Sequence, residues 1–153
     1  MSRYDGKSVV ITGGSSGLGL AAAHYLIQHG ARVMVTGRNH DTLDAAARQL
    51  GDRGITVQSD ASSLAEIDAL ADRVRSDFGN IDALIVNAGI GSFDPFFAVT
   101  EQTFDDVFAI NTKGPFFTVQ KLVPLLTEGS SGGVDDLDRK PDRLGCAQRL
   151  LGE

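Results

Sequence analysis

A glycine-dense run, Thr12-Gly13-Gly14-Ser15-Ser16-Gly17-Leu18-Gly19, lies between the apolar segment Ser8–Ile11 and a stretch of helical periodicity. Few segments restrict a fold as tightly. A turn poor in side chains, set between a strand and a helix, lets the backbone reverse sharply and leaves amide N–H groups at the helix's positive end. Such an end accepts the pyrophosphate of a dinucleotide, and it occurs where a parallel sheet is wound with helices.

The rest of the chain repeats the same grammar. Four β-rich runs, Ser8–Ile11, Arg32–Thr36, Ile55–Gln58 and Ile81–Val86, alternate with helical patterns. Alternation of this kind predicts βαβ units and a parallel sheet. In the first helix Leu18, Ala21, Ala22, Tyr25 and Leu26 are expected to share the core face; in the second, Leu43, Ala46, Ala47 and Leu50. Ser63-Leu64-Ala65-Glu66 reads as a capping box opening a third helix, whose core face is Ile67, Leu70, Ala71, Val74 and Phe78. After a loop from Gly89 to Pro95, a longer helical stretch is expected from Glu101 to Leu126, with Pro115 and Pro124 kinking or interrupting it.

From Thr127 the pattern is lost. Glu128 to Gly133 is rich in glycine and serine, and the charged segment Asp135–Arg143 holds one large aliphatic residue. Residues 1–126 therefore read as one domain and residues 127–153 as a disordered tail. The chain's 153 residues suit a single domain, and a net charge of −6 without a Lys/Arg cluster argues against nucleic-acid or anionic-membrane partners. One cysteine, Cys146, excludes an internal disulfide, and no run is long and apolar enough for a membrane span. A cytoplasmic location is expected, and no metal.

Three motifs in order identify a resemblance. Thr12–Gly19 fits Thr-Gly-x-x-x-Gly-x-Gly, Asn87-Ala88-Gly89 closes the fourth strand, and Asn111 stands in Ile110-Asn111-Thr112-Lys113-Gly114-Pro115 on the long helix. Together they resemble the short-chain dehydrogenase/reductase family from about Tyr4 to Leu126. The resemblance implies an incomplete Rossmann-type, doubly wound parallel α/β sheet of order 3-2-1-4. It also implies a dinucleotide cofactor, carbonyl/alcohol hydride transfer on a small molecule, and a homo-oligomer.

Carried over residue by residue, Gly13, Gly17 and Gly19 form the turn, the close approach to pyrophosphate and the helix–strand packing, with Leu18 among them. Ser15 and Ser16 donate to phosphate or ribose. Asp60 and Ala61 match the adenine-binding pair, although an Asp there also serves as a helix N-terminal residue. Asn87 stitches the fourth strand to the first, while Ala88 and Gly89 let the ribose approach. Asn111 is the one matched member of the family's catalytic set. The second strand ends Thr36-Gly37-Arg38, with no acidic residue for a ribose 2′-hydroxyl and a guanidinium suited to a 2′-phosphate. NADP is favoured over NAD, although Ser16 fills a slot that is basic in many NADP-using relatives. Phe93, Phe96 and Phe97 follow the fourth strand, where they shape a substrate pocket, a core or a subunit interface.

The family's proton donor is missing from this pattern. Tyr4 and Tyr25 are the chain's tyrosines, followed at the lysine position by Ser8 and His29, so no Tyr-x-x-x-Lys can be drawn. Ordinary turnover is not expected, and the alternative is a non-catalytic nucleotide-binding or interaction module. The tail offers one explanation. Back-translated and read one nucleotide later, Gly132 and Gly133 permit valines, Leu137 permits serine, and Leu150 to Glu153 permit Tyr-Ser-Ala-Ser. A strand ending in serine, followed by such a tyrosine, resembles the family's missing segment. A frameshift near Glu128–Gly133 and a genuinely divergent tail are both left open. Either leaves Ile81–Val86 as an unprotected apolar edge that invites aggregation.

Overall fold

The computed structural model describes residues 3–127. Its strands are β1 (Ser8–Thr12), β2 (Arg32–Gly37), β3 (Gly54–Gln58) and β4 (Ala83–Val86), all parallel, in the order β3-β2-β1-β4. Register is set by pairs such as Val10 with Met34 and with Leu84, and Val35 with Thr56. β1 and β2 are buried on both faces, which is why they read as unbroken Val/Ile/Met runs rather than alternating ones.

Alternation along β1 sends successive side chains to opposite faces and so divides the core. Val9 and Ile11 join Val33, Val35, Ala23, Ala31 and Leu50 on one side. Val10 and Met34 join Leu70, Ala71, Val74, Ile81, Leu122 and Leu125 on the other. The first face is covered by helices α1 (Gly17–Gln28) and α2 (His40–Leu50), the second by α3 (Leu64–Phe78) and α5 (Gly114–Leu122).

Several expectations need correction. The core face of α1 is Gly19 and Ala23, with Leu20, Ala22, Leu26 and Ile27 packed beside them. Leu18 is 85% exposed, and Ala21 and Tyr25 are also outside the core. The small residues are what let the helix lie close on β1, and hydropathy gave them too little weight. Strand β4 starts at Ala83 rather than Ile81. The stretch from Glu101 is not one helix but α4 (Glu101–Phe108), a π-turn (Ala109–Lys113), α5 and a final 3-10 turn (Val123–Leu125). Pro115 stands just after the π-turn, where a missing N–H is tolerated.

The capping box closes on a different partner. Ser63 Oγ accepts from the Glu66 N–H, but the Glu66 carboxylate accepts from the Asp60 N–H at 2.7 Å. Thr127, expected in the tail, donates its N–H to Ile81 O, and Leu126 bridges Ile81 in parallel. The remainder of the expected tail, residues 128–153, lies outside the described residues. No helix among the described residues is long and apolar enough to cross a membrane.

Candidate active site

The C-terminal ends of β1, β2, β3 and β4 surround a cleft of about 400 Å³. Strand order reverses between β1 and β4, and a doubly wound sheet opens its ligand crevice at that reversal. The glycine loop supplies Gly13, Ser15, Ser16 and Leu18 to the lining; the end of β2 supplies Thr36, Gly37 and Arg38. Ser59, Asp60 and Ala61 come from the end of β3, and Asn87, Ala88, Gly89 and Ile90 from the end of β4. Ile110 reaches in from the π-turn. Gly17, Gly19 and Asn111 are not among the lining residues; Gly19 is buried, and Gly17 and Asn111 are exposed beside the cleft.

Two glycines explain how the floor closes. Gly13 has φ +67°, and a Cβ there would sit 2.7 Å from Ala88 Cα. Gly19 is buried, and its Cβ would strike Gly13 O and come within 2.7 Å of the Asn87 amide nitrogen. Every other choice of residue would push the loop off β4. The seam is then bonded. Asn87 Nδ2 donates to Gly13 O at 3.0 Å, and Thr12 Oγ1 accepts from the N–H groups of Asn87 (3.0 Å) and Ala88 (3.2 Å). Thr12 is almost fully buried. The sequence placed it in the motif without giving it this role; a hydroxyl at the last residue of a buried strand was the available signal.

Helix α1 differs from its neighbours at its N-terminus. Asn39, Ser63 and Thr100 cap α2, α3 and α4, each accepting from a backbone N–H inside its helix. Ser16 makes no such side-chain bond, and α1 carries no acidic residue in its first turn. This uncapped first turn borders the cleft through Ser16 and Leu18, at the positive end of a twelve-residue helix.

Asp60 anchors the opposite wall. Burial favours its neutral form, but this is outweighed by hydrogen bonds from Ser62 N–H (2.8 Å) and Ser62 Oγ (2.7 Å) and by the positive charge of Arg38. Its carboxyl is thus held below the ordinary carboxylate range and is ionised at neutral pH. Arg38 is exposed, with its backbone carbonyl accepting from Gln58 Nε2 at 3.0 Å. Asn111 uses its amide as a backbone mimic: Oδ1 accepts from Ile90 N–H at 2.9 Å, and Nδ2 donates to Ile90 O at 2.7 Å. A π-turn widens the helix at this point, a distortion often retained at functional sites.

The family model for short chain dehydrogenases matches residues 7–134. The chain belongs to the short chain dehydrogenase family. It is 39% identical over 134 residues to "Oxidoreductase asL5" of Sarocladium schorii, covering 88% of this chain and 54% of that protein. A short-chain dehydrogenase/reductase from Brucella melitensis, described as a glucose/ribitol dehydrogenase, superposes with a TM-score of 0.79 at 31% identity, over 82% of this chain and 54% of that one. A 3-ketoacyl-(acyl-carrier-protein) reductase from the same organism, solved with NADH, gives 0.76 at 32% identity, over 80% and 51%. The chain spans about half the length of the curated relatives it matches.

Within this short chain dehydrogenase scaffold the cleft fits a dinucleotide in three respects. The floor at Gly13, with Gly19 packed against it, has no room for a side chain, the first turn of α1 has no side-chain cap, and the far wall carries Arg38 and Asp60. Phe93, Phe96 and Phe97 are 85–100% exposed, so among the described residues they are not core. Phe104 stacks on Phe108 at 4.3 Å on α4, also half-exposed.

Proposed function

We propose that this chain is the dinucleotide-binding half of an NADP(H)-dependent oxidoreductase that interconverts a carbonyl and an alcohol. One observation carries the reading: α1 alone among α1 to α4 leaves its first turn uncapped, and that turn opens on the cleft. An anion placed there gains backbone hydrogen bonds and a favourable dipole at no desolvation cost to a competing cap. Gly13, Ser15, Ser16 and Leu18 would hold the pyrophosphate and its approach, Asp60 and Ala61 the adenine, and Asn87 to Gly89 the second ribose. Arg38 would meet a ribose 2′-phosphate in the fork geometry that a guanidinium offers. When bound, the nicotinamide supplies a hydride.

The 153 residues hold no Tyr-x-x-x-Lys, so we read this chain on its own as binding without turnover. Its single cysteine suits the reducing cytoplasm. Sequencing the locus separates a displaced reading frame from a divergent tail. Codons at Leu137 and Leu150 that cannot give serine and tyrosine one nucleotide later would remove the frameshift reading.

Calorimetric titration of the purified chain with NADPH and NADH tests the binding. NADPH should bind more tightly. Arg38→Ala should weaken NADPH by roughly 10- to 100-fold, the equivalent of losing charge-assisted bonds worth about 1.5–3 kcal/mol, and leave NADH within about twofold. Failure of both dinucleotides to bind would overturn the reading; equal losses for both would overturn the NADP preference.

A further inference from the structure

Gly114, the first residue of α5, occupies a position where glycine has no conformational purpose. Its φ of −58° and ψ of −53° are helical, so any L-residue would fit the backbone, and glycine is among the poorest helix formers. The residue is buried, and the reason for glycine lies across a contact. A Cβ on Gly114 would fall on the carbonyl oxygen of Ala61, with the carbonyl carbon 3.0 Å away and Ala109 O 3.2 Å away. None of these atoms is the end of a flexible side chain. They belong to two backbones, and neither can rotate aside.

Ala61 belongs to the Asp60–Ser63 turn, which is rigid within itself. Asp60 accepts from Ser62, Ser63 N–H donates to Asp60 O, and Asp60 N–H donates to Glu66 of α3. These bonds fix the turn to α3 but not to the opposite wall of the cleft. Ser59 N–H, just before the turn, ties it to Gly37 O at the end of β2, and its seat against the α5 side of the site is Gly114. The π-turn that ends there also puts Ile110 into the cleft and holds Ile90 through Asn111. One short segment thus rests against both walls.

We propose that Gly114 is a positioning residue for the adenine end of the cleft: its missing side chain lets the Asp60–Ala61 turn seat against the π-turn, setting the distance from that turn to Ile110 and to the Ile90 wall that Asn111 holds. The inference rests on the reading of the cleft as a dinucleotide site. A methyl group at position 114 displaces the turn as a unit, and the atoms it meets first belong to Ala61 and Ala109 rather than to the first turn of α1.

The test compares the native chain and Gly114→Ala by calorimetry with two probes, ADP and inorganic pyrophosphate. The variant should lose tenfold or more in ADP affinity while pyrophosphate stays within twofold. A purely structural role would weaken both together, and that result, or an unchanged ADP affinity, overturns the proposal. A native chain that binds neither probe overturns the reading of the cleft and this inference with it; an unchanged affinity ratio overturns this inference alone. Should Gly114→Ala fail to fold, amide exchange of the native chain replaces it. ADP should slow exchange at residues 60–63 and at residues 109–113 together, and slowing confined to 60–63 overturns the proposal.

Discussion

Replacing Thr12 by valine keeps the shape of a buried side chain and removes one oxygen, and that oxygen accepts two backbone N–H groups across the β1–β4 seam. The cost follows from what each donor is left with. Asn87 is exposed, so water can take over its N–H and the loss is about 1 kcal/mol; Ala88 is half-buried against Gly13, and its stranded N–H costs about 2 kcal/mol. Together they predict a loss of about 3 kcal/mol, or roughly 10 °C in Tm for a chain of this size. Thr12→Ser is the control. It keeps the acceptor and removes one buried methyl, at a cost of about 1 kcal/mol. Urea unfolding followed by circular dichroism should rank the native chain first, serine second and valine last, with the same m-value throughout. A valine variant as stable as the serine one would refute the argument, because it would mean that the seam is held by the glycine contacts and not by the hydroxyl.

Two further predictions concern other parts of the structure. At the opposite end of the sheet, burial acts to raise the Asp82 carboxyl, but bonds from Lys7 Nζ and Ser8 N–H, both 2.8 Å, and the Lys7 charge outweigh it and hold it below its ordinary value. A carboxyl depressed in the folded state stabilises above the unfolded pKa near 4 and loses that contribution as pH falls through the folded value. Asp82→Asn should therefore cost about 1 kcal/mol at pH 7 in urea unfolding and progressively less below about pH 4; a pH-independent difference would refute the assignment. Asn111→Ala should release both Ile90 bonds, accelerating exchange of the Ile90 amide about tenfold while leaving the amides of β1 unchanged, since solvent limits the cost to about 1–2 kcal/mol of local stability.

The legible parts of this fold are those in which chemistry and period agree. Continuous Val/Ile/Met runs mark strands buried on both faces, and the α3 face from Ile67 to Val74 keeps a clean helical period. The order 3-2-1-4 follows from the glycine loop on the first strand and the family it indicates. What escaped is contact without hydropathy. Gly19 and Ala23 carry the α1 interface because they are small, while Leu18 and Tyr25, larger and more apolar, point away from it. A π-turn has no signature in a 3.6-residue pattern, so Asn111 and Gly114 looked like members of one long helix. The Glu66 carboxylate answers to Asp60, and a local capping motif contains nothing to announce a partner six residues away.

The β4 edge ties these points together. One side of β4 pairs with β1 from Val9 to Thr12. At its start, Ile81 is gripped by the returning chain: it donates to Leu125 O and accepts from Thr127 N–H, in parallel register with Leu126. The chain has by then crossed the face covered by α5 and come back beside β4, the geometry of a parallel crossover. Beyond that bridge Ile85 is 36% exposed, and β4, like β3 at the other edge of the sheet, contains no fully buried residue. The glycine loop meets β4 at its C-terminal end, through Asn87 and Ala88, and not along this unpaired side. The seam with β1 and the unpaired side of β4 are therefore separate features of one strand. The seam is held by Thr12, Asn87 and the glycine contacts, whereas the unpaired side is bonded, among the described residues, at Ile81 by Leu125 and Thr127.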